Sequence, residues 1–357
     1  MKSKSPIKRK SPIKSKSQIK MKSPIKRKSQ IKMKSPIKRK SQIKRKSPIK
    51  RKSQKKSQKK SQKKSQKKSQ KKSSKMEKET FDSKLLPPEI NEKIRGIVKK
   101  DHLDVFEKIL FSIIALNPKI TIDNLRVEYN EDRTIRNFDL SNFKDRLKIL
   151  PPNFINITIT NDLDLSNNEI TELPTNFNLI KIGGNLDLSN NKLSYLPTDF
   201  NLIKVGSNLD LSHNELSYLP ANFGEITVGG DLILSGNELS DLPESFGRNT
   251  VVGDLDLSNN YIITLPDNFG EITVGRNLNL SNNDLIYLPK NFGEITVGSN
   301  LNLSNNDLRY LPENFGEIKV GGDLYLSNND DLINLPKFLN NVSGEFIKAS
   351  CQMFKKS

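Results

Sequence analysis

The chain has 357 residues, 60 Lys+Arg against 40 Asp+Glu, a net charge of +20 and one cysteine. The charge is divided by segment: residues 1–75 hold 34 of the basic residues and no acid, leaving 26 positive and 40 negative charges in the remainder. The lone Cys351 excludes an internal disulfide and fits a reducing compartment, and a lysine-rich start with no apolar run excludes a secretory signal. The longest apolar run, Ile109 to Leu116 with one serine, is far short of the roughly 20 residues of a membrane helix, so the chain reads as soluble and intracellular.

Residues 1–75 form a basic low-complexity tail. A twelve-residue repeat spans residues 9–56, with identical copies at 21–32 and 33–44, and decays into five S-Q-K-K units from Ser53 to Lys72. Without aromatics or acids, such a segment buries too little surface to offset its ordering entropy, and disorder is expected. Dense lysine suits sequence-independent, salt-sensitive contact with nucleic acid or another polyanion. A solubilising arm and tail-mediated self-association are the other readings. The S-P-I-K units at Ser5, Ser11, Ser23, Ser35 and Ser47 resemble the S-P-K-K repeats of histone tails, with isoleucine for the first lysine. They are also similar to proline-directed kinase sites. Five phosphates would remove roughly a quarter of the tail's charge.

Residues 76–138 read as a helical segment. Apolar spacing from Leu85 to Leu116 predicts two helices, broken near Gly96 or Asp101 and ended by Pro118. Leu86-Pro87-Pro88-Glu89-Ile90 resembles the opening of an F-box, a helical module that docks ubiquitin-ligase adaptors. The segment is read as a helical cap on the first coil of a C-terminal repeat array, with an F-box-like module as the alternative.

From Leu163 onward a 23-residue unit occurs eight times, its first leucine at Leu163, Leu186, Leu209, Leu232, Leu255, Leu278, Leu301 and Leu324. A period of this length means stacked units that bury their apolar faces against one another. L-x-L alternation marks a short strand with inward leucines. An asparagine follows at Asn168, Asn191, Asn214, Asn237, Asn260, Asn283, Asn306 and Asn329. An amide at a turn into the core suits a hydrogen-bonded ladder to adjacent backbone. Leu-Pro comes next, then a phenylalanine spine at Phe177, Phe200, Phe223, Phe246, Phe269, Phe292 and Phe315. Gly183, Gly206, Gly229, Gly275, Gly298 and Gly321 precede the next strand, where positive φ is expected. Stepping back 23 from Leu163 gives a degenerate ninth unit, with Leu140 in the first leucine slot, Asn142 in the second and Asp145 in that of the ladder asparagine. The predicted solenoid runs over 139–346, and 347–357 forms a C-terminal cap and tail.

The pattern L-x-L-x-x-N-x-L-x-x-L-P resembles the leucine-rich-repeat family. The resemblance implies an α/β-type solenoid: a curved coil with a parallel β-sheet on its concave face, where a protein partner binds. The lysine, isoleucine and asparagine bias with its repeated arrays also resembles repeat proteins of large amoeba-infecting DNA viruses such as mimivirus. That likeness implies host cytoplasm, host nucleus or a virion as the location.

The outward positions flanking the first leucine form a strip with no basic residue. Asp162, Asp231, Asp254 and Asp323 precede it, alternating with asparagines; Asp164, Asp187, Asp210 and Asp256 follow it, with Ile233 and Tyr325 as apolar anchors. Two readings stand: a solubilising sheet surface, or a docking strip for a basic partner, including the tail of this or a neighbouring molecule. His102, His213 and Cys351 supply no catalytic constellation, and there is no phosphate loop or metal-ligand spacing. The function expected is non-enzymatic protein binding, without cofactor or metal; a nucleic-acid or virion-packaging protein acting through residues 1–75 is the alternative.

Overall fold

The computed structural model describes residues 103–117, 119, 125–132, 134–141, 145–333, 343 and 346–347. The basic repeats with Ser5, Ser11, Ser23, Ser35 and Ser47, the Leu86–Ile90 motif, the first predicted helix, His102 and Cys351 lie outside these residues.

Helix α1, Leu103–Leu116, stops before Pro118. Its Phe106 ring meets Phe138 edge-on at 5.2 Å, and Ile109, Phe111 and Ile113 are buried with it. Asn117 closes the helix end: its Nδ2 donates to Ile113 O at 2.8 Å and Ile149 O at 3.0 Å, and its Oδ1 accepts from Lys148 N at 3.0 Å. A hairpin follows, β1 (Arg126–Tyr129) antiparallel to β2 (Ile135–Asp139). The helical reading of 76–138 did not include it, although Leu125, Val127 and Tyr129 alternate on one side and pack on the core. Because β1 covers the outer side of β2, the terminal coil presents no bare strand edge there.

Each later coil contributes a leading strand (Thr158–Ile159 in the first), a bend, a leucine strand (Leu163–Asp164), the asparagine turn, and a return ending in a 3-10 turn at phenylalanine. The leucine strands pair parallel and in register, Leu163↔Leu186↔Leu209↔Leu232 and on to Leu301↔Leu324, and Phe346–Ile347 adds a further strand beside Leu324–Tyr325. Their leucines are fully buried. On the far side, the seven phenylalanine rings lie 6.0–6.4 Å apart with planes within 8° of parallel. Hydrogen-bonded strands stand only about 4.8 Å apart. The leucine-strand side is therefore the shorter, concave one.

Three expectations need correction. Phe138, not Leu140, pairs with Leu163, and Asp139 pairs with Asp164. Leu140 fills the second leucine slot, accepting from Asn168 Nδ2 as Leu165 accepts from Asn191. Leu147 keeps the 23-residue step to Ile170, so the first unit carries two extra residues between Leu140 and Leu147, which a fixed-period count misplaces. The second-leucine slot is thus at Leu140 and not at Asn142, which lies outside the described residues; Asp145 keeps the 23-residue step to Asn168 but is exposed and takes no part in the buried ladder.

The glycines before the strands do not have positive φ. Positive φ falls instead on the residue before each ladder asparagine, including Asn167, His213 (φ 52°), Gly236 (φ 68°) and Asn328. Asparagine tolerates this left-handed conformation better than other side chains, so the first Asn of N-N is a turn residue. Glycine is required at Gly206 and Gly229 for another reason: a Cβ there would collide with the carbonyl oxygen of the preceding coil.

Between Gly229 and Gly275 one coil breaks that rule. Val252 occupies the glycine slot and is 61% exposed. The pairing of leading strands is interrupted there, between Thr227–Val228 and Thr250–Val251. In the same coil Asn249 takes the buried slot of Ile226 and Ile272, and its Nδ2 has no hydrogen-bond partner. Asn249→Ile is expected to raise the unfolding free energy by about 1–2 kcal/mol by removing an unpaired buried donor, read as a higher urea midpoint with unchanged slope.

Candidate functional site: the concave strand face

Two hydrogen-bond ladders frame the strand face. In the inner one, each asparagine from Asn168 to Asn329 donates from Nδ2 to a carbonyl of the preceding coil at 2.9–3.1 Å. Its Oδ1 accepts from a leucine or isoleucine N–H of that coil at 2.8–3.1 Å. All eight are buried.

The outer ladder was not anticipated. The residue before each first leucine accepts, through Oδ1, the backbone N–H of the same slot one coil on, at 2.7–3.0 Å from Asp162 through Asn300. Aspartate and asparagine are the side chains of that length carrying such an acceptor, which explains why the slot holds nothing else. The following slot closes a turn: Asp164, Asp187, Asp210, Asp256, Asn279 and Asn302 accept the N–H of the serine two residues on at 2.8–3.1 Å. Ile233 and Tyr325 lack this acceptor. Tyr325 instead donates its hydroxyl to Asp323 Oδ2 at 2.9 Å.

In-register leucine strands, an asparagine ladder and 3-10 returns define the coil. The fold is a leucine-rich-repeat solenoid. No family model matches the chain, and no curated protein does. Among solved structures, it is similar to YopM from Yersinia enterocolitica, at 21% identity over 73% of this chain with a TM-score of 0.41. The chain spans about half of that protein, 55%. A leucine-rich-repeat protein of Leptospira interrogans aligns at 21% identity over 56% of this chain and 76% of its own, TM-score 0.25. Toll, in the Toll–Spatzle complex of Drosophila, aligns at 20% identity over 57% of this chain and 32% of its own, TM-score 0.38. None of the three supports the viral likeness read from composition.

The solenoid gathers the predicted strip residues on one face, all half-buried. It also adds two members. Asp139 joins the column Asp139–Asp164–Asp187–Asp210, four carboxylates on successive paired strands. Arg276 reaches the strip from a slot held by Asn161 in the first coil and elsewhere by glycine or serine; its guanidinium hydrogen-bonds Asp231 and lies 3.5 Å from Asp254. Sequence reading had counted no basic residue there. These two aspartates hold Arg276 more firmly protonated. Negative charge is thereby concentrated in the first coils, where among the described residues Arg126 approaches Asp139, at 3.9 Å.

Burial raises the Asp187 carboxyl above its ordinary 3.8; hydrogen bonds from Ser189 oppose the rise, and Asp210 and Asp164 add to it. A raised folded value means this group's stability contribution is complete below about pH 3.8 and is lost as pH rises through the folded value. Asp187→Asn, which keeps the oxygen for Ser189, is therefore expected to stabilise at pH 7 by roughly 0.2–1 kcal/mol and to have no effect at pH 3, read by thermal melts at both pH values.

A shallow groove of about 420 Å³ lies on the 3-10 side, lined by Glu244, Arg248, Asp267, Asn268 and Glu271 among others. It contains no predicted site residue. Among the described residues, no His, Cys, Asp and Glu cluster suits a metal, and no helix is long and apolar enough to cross a membrane.

Proposed function

We propose that the strand face docks a basic segment of a protein partner. The Asp139–Asp210 column supplies charge complementarity, Ile233 and Tyr325 supply apolar anchors, and the fold acts as a binder rather than an enzyme. One comparison supports this most. Asn279 and Asn302 close the same turn that Asp164, Asp187 and Asp210 close, and each also accepts from serine Oγ, at 2.7 and 2.6 Å, as Asp139 does from Ser141. The turn does not need a carboxylate. Negative charge in the first coils costs repulsion with no structural return, as expected of a surface kept for a cationic partner. Ile233 and Tyr325 likewise give up a backbone cap for a half-buried apolar group on the same face.

The test uses Asp164→Asn, Asp187→Asn and Asp210→Asn together in the full chain. The triple variant retains every cap, and its affinity for a fluorescent lysine-rich peptide is expected to fall by about tenfold at low salt. Undiminished binding would remove the reading.

A second reading rests on residues 1–75, whose 34 basic residues without an acid suit binding to nucleic acid. It requires DNA affinity that depends on the tail and falls steeply between about 50 and 200 mM salt. DNA binding unchanged on removal of residues 1–75 would exclude it.

A further inference from the structure

A second surface lies on the return segments of the later coils. Tyr261, Tyr287, Tyr310 and Ile333 are 59, 49, 49 and 53% exposed. Tyr195 and Tyr218 stand in the slot of Tyr287 and Tyr310 in two earlier coils, with Asp241 and Thr264 between; Lys192 and Glu215 stand where Tyr261 does, and Ser194 and Ser217 where Ile263 and Ile286 do. Asp241 and Thr264 show that the coil folds without an aromatic group in this slot, and Tyr287 and Tyr310 are the adjacent pair that restores it.

The geometry is regular. Thr264, Tyr287 and Tyr310 are joined by parallel backbone bridges, and the Tyr287 and Tyr310 rings lie 6.4 Å apart with planes 2° from parallel. Alternate side chains of an extended peptide repeat every ~6.6 Å on one face. A strand-like segment running along the stack would therefore bring every second side chain to successive rings. Asp284 and Asp307 lie on the flank nearer the asparagine turn, Asp267 and Glu313 beyond the proline, and Asp330 and Asp331 at the Ile333 end. The cations on these return segments are Lys290 and Arg309. An aromatic row set among carboxylates favours a cation over an apolar or acidic group.

We propose that this tyrosine row is a docking site for an extended basic peptide of a protein partner, with lysine or arginine at every second position. Each cation packs on a tyrosine ring, and its charge is met by the flanking aspartates. The surface is separate from the strand face and does not depend on the reading given for it.

Two synthetic peptides of equal composition test the assignment on the full chain: one with lysine at alternate positions, one with its lysines in a block. Residues 1–75 are common to every variant compared. Tighter binding of the alternating peptide, weakened about tenfold by Tyr287→Ser with Tyr310→Ser and retained by Tyr287→Phe with Tyr310→Phe, supports the site. The strand-face triple Asp→Asn variant should leave this preference for alternation intact. Equal binding of the two peptides, or undiminished binding by a folded double serine variant, would overturn it. Should the serine pair unfold, Asp284→Asn with Asp307→Asn replaces it, and unchanged affinity there counts equally against the site.

Discussion

Phe246→Ala is expected to lower the unfolding free energy by about 3–5 kcal/mol. The ring is fully buried and lies between Phe223 and Phe269, 6.2 and 6.3 Å away. Its removal leaves a cavity that neither neighbour can fill, since each is held by its own coil's 3-10 turn. In a solenoid, stability is a sum of coil and nearest-neighbour terms, so the loss weakens the interfaces on both sides at once. The same coil already carries the unpaired Asn249 amide and the interrupted leading-strand pairing. Urea unfolding followed by circular dichroism should thus change from one transition to two, as the coils before and after this point melt separately. A single transition with an unshifted midpoint would show that the ring spine is not what joins them.

Asn260→Ala is the second substitution with a large expected effect. Asn260 Oδ1 accepts from Leu239 N at 3.1 Å, and its Nδ2 donates to Leu234 O and Leu257 O, each at 3.1 Å. The two carbonyls keep a second donor each, from Asn237 and Asn283. The Leu239 N–H loses its side-chain acceptor inside the core, at a cost of about 1–3 kcal/mol. Loss of the donor bonds adds to this. Asn260→Asp separates the two contributions: the acceptor for Leu239 is kept, the donors are lost, and a carboxylate is buried. Burial raises that carboxyl's folded value above its unfolded one, so its destabilisation should be greatest at pH 7 and shrink toward about pH 4. A pH-independent loss equal to that of alanine would show that the acceptor bond contributes nothing.

The coil was legible in the sequence because each slot has one physical job repeated eight times: leucines facing in, asparagine on the ladder, phenylalanine on the far side. The outer ladder was not. The pattern Asp162, Asn185, Asn208, Asp231 was visible, but aspartate and asparagine read as charge and solubility until the neighbouring N–H of the next coil is placed beside them. The same mixture disguised which carboxylates the turn needs and which it does not. The first coil escaped a fixed step because it carries two more residues between Leu140 and Leu147, while Leu147 itself keeps the 23-residue step to Ile170. Arg276 was invisible for a different reason: its side chain acts two coils away, and periodicity describes only what recurs. The glycine slot was assigned the wrong cause, since both positive φ and close approach favour glycine and only coordinates separate them.

The constant step of both ladders also bears on how such a chain can grow. Within the regular coils each ladder donor and acceptor finds its partner at a fixed offset in the adjacent coil, so removing or doubling 23 residues there leaves two ends that still fit. Unequal crossing-over within the gene would yield folded products of stepwise length, whatever the breakpoint, as long as whole periods are exchanged. Val252 is the mark by which one copy can be told from the rest: a duplication that includes it would carry a second seam into the protein.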